Sequence, residues 1–168
     1  MALRDVRLFG DPVLVSRADE VTQFDASLAR LAEDMLETMD AEQGVGLAAN
    51  QIGVLQRIFV YDCDGQRGAL INPVWEPVDE DKVTDAEGCL SIPEIRAETE
   101  RWAKVRATGQ RVDGTPVEIH ADGLLARCIQ HETDHLDGVL FLKRLEPERR
   151  KAAMREMRSL DWFRAGGA

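Results

Sequence analysis

A chain of 168 residues, 44% hydrophobic and 31% charged, suits one globular domain (residues 1–168) that can build a core without disulfide staples. Its net charge of −10 argues against a DNA- or RNA-binding body, and charges interrupt every apolar run, so neither a signal peptide nor a membrane span fits. Three cysteines, an odd count without a secretion signal, favour a reducing, cytoplasmic setting, where a cysteine is a metal ligand or a buried small residue rather than half of a disulfide.

Leu28, Leu31, Ala32, Met35, Leu36 and Met39 recur at helical spacing behind Asp25, so residues 25–41 read as a capped amphipathic helix. Gly44-Val45-Gly46 then breaks the chain before a run of small residues. Strand character follows at Arg57 to Tyr61, Gly68 to Ile71 and Trp102 to Thr108. Val117, Ile119 and Ala121 alternate with Glu118 and His120, the pattern of a strand with one buried face. Asp64-Gly65 and Asp113-Gly114 are hairpin signals.

A second helix is expected behind Asp122, carrying Leu124, Leu125, Cys128, Ile129, Glu132, His135 and Leu136 and stopping at Gly138. A third should start near Glu146 with Pro147 early in it and Ala153, Met157 and Leu160 on its inner face. Residues 146–168 hold six basic residues against four acidic, so this tail is +2 while residues 1–145 carry −12. The tail reads either as a solvated face or as a face that docks on RNA or protein. Helix, then strands, then helices indicates an α+β fold: antiparallel or mixed sheets packed around a central helix, with an N-terminal amphipathic helix and a C-terminal helix.

That central helix carries the chemistry. Residues 130 to 135 read Gln-His-Glu-Thr-Asp-His, and two of the chain's three histidines, His131 and His135, lie in this run. Four residues apart they share one helix face, the spacing of a divalent metal site whose water is served by the adjacent Glu132. A catalytic site of this kind needs a third protein ligand. Downstream of His135 there is neither histidine nor cysteine. The run to Gly138 resembles the start of the metzincin pattern, but Phe141 stands where its third histidine belongs. Glu156 is the candidate for a gluzincin-type ligand by distance, without any accompanying motif.

Four upstream residues are candidates. Cys128 falls on the histidine face, but the metal level lies about five residues further on, roughly 7–8 Å along the axis, which favours a core or pocket-lining role. Cys63 sits in a hairpin turn and His120 on the polar side of a strand. Cys89 follows Gly88, which allows a close backbone approach. A thiolate there could meet the helix across the fold, or it could be a buried bystander.

Gly44-Val45-Gly46-Leu47-Ala48-Ala49-Asn50-Gln51, Glu87-Gly88-Cys89-Leu90-Ser91 and Gln130-His131-Glu132-Thr133-Asp134-His135-Leu136 occur in this order. As a set they resemble the three signature motifs of peptide deformylases, and the likeness extends over nearly the whole chain. With no long insertion between the first two motifs, it is the shorter, bacterial-type branch that the chain resembles. The resemblance implies that Cys89, His131 and His135 bind one divalent ion, Fe2+ in the cell, with Ni2+, Co2+ or Zn2+ able to substitute. It also implies that formate is released from the formyl-methionine of nascent polypeptides, with Glu132 moving the proton. The Gln51 amide and the Leu90 backbone N–H would donate to the developing oxyanion.

Gly44, Val45 and Gly46 should hold the peptide as an added strand, and Val45, Leu124 and Cys128 should wall the methionine slot, with ordinary core packing as the alternative. Arg127 stands at the rim, where the family would also accept an apolar residue. Glu87 and Arg101 either pair behind the cysteine or are solvated separately; Asp134 reads as a solvent-facing helix residue. The basic C-terminal helix is a candidate for ribosome docking. Two other readings compete: a zinc endopeptidase using the same helix, and a non-catalytic binding protein, against which Gln51, Cys89 and Glu132 are all present.

Overall fold

Asp25 caps the first helix, α1 (Ala26–Ala41), its side chain accepting from the Leu28 N–H at 3.1 Å. The structure, a computed structural model, describes residues 2–166. The chain next forms β1 (Gly46–Ala48), a 3₁₀ turn over Ala49–Ile52, β2 (Ile58–Cys63) and β3 (Gln66–Pro77). Asp64 and Gly65 turn the β2–β3 hairpin with φ of 52° and 81°, the paired left-handed backbone that matches strand twist. β4 (Lys82–Cys89) and β5 (Ile92–Trp102) follow, then β6 (Val105–Gln110) and β7 (Pro116–Ala121). The central helix is α2 (Gly123–Leu136), and α3 (Pro147–Arg158) and α4 (Asp161–Ala165) finish the described chain.

Five strands form an antiparallel sheet in the order β1-β2-β3-β6-β7, while β4 and β5 pair only with each other as a separate ribbon. Side-chain alternation along β2 sorts the core. Ile58 and Val60 point into a cluster with Leu28, Met35 and Met39 of α1. Phe59 points the other way, into a cluster with Leu125, Ala126 and Ile129 of α2. The sheet is thus sandwiched between α1 and α2. A third cluster joins Ile92 and Ile95 of the ribbon to Phe141, Leu142, Ala153 and Met157, and so packs α3 on the ribbon.

Three expectations need correction. Trp102 to Thr108 is not one strand: β5 ends at Trp102, the chain turns through Ala103 and Lys104, and β6 enters the other sheet. Backbone bonds from Ala103 N to Asp81 O (2.9 Å) and from Val78 N to Lys104 O (3.1 Å) hold that corner. The third helix stops at Arg158, so Leu160 lies outside it and precedes α4. The strands of the ribbon are absent from the sequence reading. Lys82–Glu87 is half charged, and although Glu94, Arg96, Glu98 and Glu100 alternate with Ile95, Ala97, Thr99 and Arg101, the inward set contains one large apolar residue, Ile95.

Candidate metal centre

Donor groups from two elements converge. His131 and His135 project from one face of α2, and Cys89 ends β4 at the tip of the ribbon, where Leu90 and Ser91 make the turn into β5. The N-terminal segment ties this tip to the 3₁₀ turn bearing Gln51: Arg7 N donates to Gln51 O and Phe9 N to Ser91 O at 2.8 Å. His135 Nε2 lies 3.2 Å from His131 Nε2 and 3.3 Å from Cys89 Sγ. One donor atom from each residue falls within 4.8 Å of the others, the one such group among the described residues. One cysteine and two histidines meeting this closely fit one small divalent ion with a coordination position left for water or substrate. Cys63 and Cys128 are free thiols outside that group, Cys128 as its axial distance on the helix predicts and Cys63 at the end of β2. His120 is a surface residue paired with Glu118 at 2.8 Å.

His131 is held from behind, whereas the buried Nδ1 of His135 has no hydrogen-bond partner. His131 Nδ1 meets Glu87 Oε2 at 2.7 Å, which turns Nε2 toward the donor centre. Glu87 in turn takes Arg101 Nε at 3.1 Å and Arg101 Nη2 at 2.7 Å, so the expected pair exists and is 5% exposed on both sides. Burial pushes the Glu87 carboxyl up, but the bonds from His131 and Arg101 outweigh it and hold the group far below the usual carboxylate range. Burial pushes both histidines down; at His131 the Cys89 and Glu87 partners reverse this, whereas His135 stays low. Phe141 lies against the His131 ring, centroids 6.1 Å apart, so the position tested for a third histidine is a packing residue.

Asp134 is a correction. It is 6% exposed, not solvent-facing, and bonds Arg101 Nη1 at 2.8 Å, Arg144 Nη2 at 2.8 Å and Arg144 Nε at 3.0 Å. From Leu125 on, α2 is buried on almost every side, so its polar residues must find partners inside.

A cleft of about 580 Å³ opens onto the donors and is lined by Gln51, Cys89, Leu90, His131 and Glu132, with His135 behind them. The same cleft touches Gly44, Val45, Gly46, Leu124 and Cys128, so the structure gathers every expected pocket residue on one surface. Val45 and Leu124 are 45% and 40% exposed, while Cys128 is 5% exposed and belongs to the core cluster of Leu125 and Ile129. Gln51 is fixed at both ends: Oε1 accepts from Ala48 N at 3.0 Å, and Nε2 donates to Ser91 Oγ at 3.1 Å while facing Cys89 Sγ at 3.7 Å. Glu132 is 4% exposed, and its Oε2 has no hydrogen-bond partner. Desolvation pushes its carboxyl up to about 7, against the pull of His131. Gly46 makes room for it, since a Cβ there would lie 2.7 Å from both Glu132 Oε1 and Cys128 Sγ.

Such a donor set suits polarising a carbonyl and ionising a water near neutral pH, so fold and site together define a metal-dependent hydrolase. Comparison with known proteins narrows the class. The model of the polypeptide deformylase family matches residues 3–151, and the chain belongs to that family. It is 65% identical to peptide deformylase 1 of Corynebacterium glutamicum and 62% identical to that of Corynebacterium efficiens, each over 97% of this chain and 99% of the relative. Its fold superposes on the crystal structure of peptide deformylase from Thermotoga maritima with a TM-score of 0.85 at 45% identity, covering 88% of this chain and 100% of that one. The enzyme of Synechococcus elongatus, solved with actinonin, gives 0.88 at 37% identity over 95% and 90% of the two chains.

Proposed function

We propose that Cys89, His131 and His135 hold one divalent cation, and that this chain uses it for the reaction of its family, removal of the N-formyl group from nascent polypeptides. The observation that carries the reading is the closure of those three donors at the floor of a cleft that also presents Gln51 and Glu132. A divalent ion there would polarise the formyl carbonyl and lower the pKa of a water toward neutrality. The thiolate and imidazole set suits Fe2+, our choice for the cell, and also Ni2+, Co2+ or Zn2+.

The chain's own residues do the rest. Glu132, with a carboxyl near 7 and one free oxygen, takes a proton from the attacking water and passes it to the departing amine. Formamide and water thereby give formate and a free N-terminus. The Gln51 amide, locked by Ala48 with Nε2 toward the centre, and the Leu90 N–H donate to the oxygen that gains charge. β1 is the end strand of its sheet, so a peptide can lie along Gly44–Gly46 by backbone bonding that ignores sequence. Its methionine side chain enters between Val45, Leu124 and Cys128.

The test is formate release from formyl-Met-Ala-Ser by anaerobically purified, Fe2+-loaded protein, beside a Glu132→Ala control. Release that the control abolishes supports the reading; none from folded, loaded wild type refutes it. We also assign the cytoplasm as the site of action and α3 as a ribosome-docking face, with Arg149, Arg150 and Arg155 reversed in charge as its test. Undiminished co-sedimentation with ribosomes removes that second assignment.

A further inference from the structure

The cation's proposed donors sit on elements that share no backbone hydrogen bonding. Cys89 rides on the β4–β5 ribbon, which pairs with nothing else, and the histidines ride on α2. Side chains must therefore set the spacing between them. Gln130 grips the base of the ribbon, bonding Trp102 N and Trp102 O at 2.9 Å each. Beyond that base, the His131–Glu87 and Arg101–Asp134 pairs each supply one bond between helix and ribbon, and Arg127 supplies three. Arg127 lies four residues before His131 on the same helical stripe. Its Nη1 donates to Glu87 Oε1 at 3.0 Å and to Thr99 O at 2.9 Å, and its Nη2 to Val83 O at 2.9 Å. A single guanidinium thus binds a carbonyl of β4, a carbonyl of β5 and the carboxylate that orients His131.

Planar, forked donors suit that task, and a lysine ammonium cannot span the same three acceptors. The Arg127 side chain is 13% exposed, and both of its terminal nitrogens are engaged by the ribbon. Its charge is thus already partnered although the residue lines the cleft.

We propose that Arg127 is a positioning residue: it clamps the ribbon bearing Cys89 onto the helix bearing His131, and fixes Glu87 so that thiolate and imidazoles are correctly spaced before the cation enters. The inference rests on the donor assignment made above. It explains why a charged residue is accepted beside an apolar slot.

Arg127→Met keeps the stem and removes the clamp, and Arg127→Lys keeps the charge without the fork. Both are loaded with Co2+ and followed by circular dichroism, by the rate of Co2+ transfer to EDTA, by the thiolate-to-Co2+ absorption band, and by kcat and KM on formyl-Met-Ala-Ser. Arg127→Met should lose Co2+ on the order of tenfold faster than wild type. Its absorption band should shift, and kcat should fall more than KM rises. Arg127→Lys should lie between the two. Wild-type retention and an unshifted band in the methionine variant, with KM alone raised, would overturn the clamp and make Arg127 a substrate contact. If the methionine variant does not fold, a folded lysine variant that retains Co2+ as wild type does overturns it equally. Wild type that neither retains Co2+ nor releases formate fails the underlying reading instead.

Discussion

Around Glu87 and Asp134, two carboxylates and two arginines lie within the protein, Arg101 and Glu87 each 5% exposed and Arg127 13%, and the half-exposed Arg144 closes the set from the surface. Along α3 the same residue types stand in solvent, where Lys151 and Glu148 pair at 3.3 Å with exposures of 69% and 87%. The buried set is bonded on every side: Glu87 alone takes four N–H donors, from Arg101, Arg127 and His131. The exposed set makes that one i to i+3 pair and a long bond from Arg149 Nη1 to the Glu98 carbonyl at 3.4 Å. Similar charges therefore do different work. Inside, removing one partner strands another in low dielectric, so geometry is held rigidly; outside, water replaces whatever is lost.

The contrast can be broken at several points. Glu132 is the extreme case, a buried carboxyl with an unpartnered oxygen, and its value is chemical. Glu132→Ala should lower kcat by about 10²–10⁴-fold while metal content by atomic absorption stays at wild-type level. Arg101→Ala takes two of the four donors from Glu87 and one of the three from Asp134. It should cost about 3 kcal/mol, a fall of roughly 6–12 °C in Tm, and should release metal 10- to 100-fold more readily, on the order seen for groups behind metal ligands. An unchanged melt and unchanged retention would put the buried network on a par with α3.

The third test uses pH. Glu132 has a folded pKa of about 7 against an unfolded value of 4.5, so the folded chain keeps a proton that the unfolded chain gives up between them. The stability this contributes is complete below about 4.5 and is lost as pH rises through 7. Metal-free Glu132→Gln does not titrate, so it should gain on metal-free wild type by up to about 3 kcal/mol between pH 4.5 and 8. Denaturant midpoints across that range would show it. A constant gap would mean the carboxyl is not desolvated. The smallest effect belongs to α3, where Lys151→Ala should change stability by less than about 0.5 kcal/mol.

Much of this was legible in the chain. The caps and periodicities of α1 and α2 are local, and so is the turn at Asp64-Gly65. His131, Glu132 and His135 declare themselves because a helix brings positions i and i+4 together whatever the rest of the fold does. Cys89 does not: its meeting with the helix depends on how a charged ribbon docks, and no spacing in the sequence encodes that. The likeness to a known family supplied it. Asp134 was misread because polarity on a helix ordinarily means solvent, and only the burial of α2 on nearly every side reverses that rule. No signal was available, because only the fold makes Arg101, Arg127 and Arg144 neighbours of Glu87 and Asp134.

The separation of ribbon and sheet has a consequence for the chain as a polymer. Cys89 and His135 are 46 residues apart, and the ion proposed between them would close that span as a covalent bridge does. By the loop-closure estimate used for disulfides, such a cross-link would remove unfolded-state freedom worth on the order of 4 kcal/mol at 25 °C. A chain whose cysteines are all free would thereby acquire a removable staple. Depleting the ion would then loosen the active site and the tertiary architecture in one event, with proteolysis expected to begin in the ribbon.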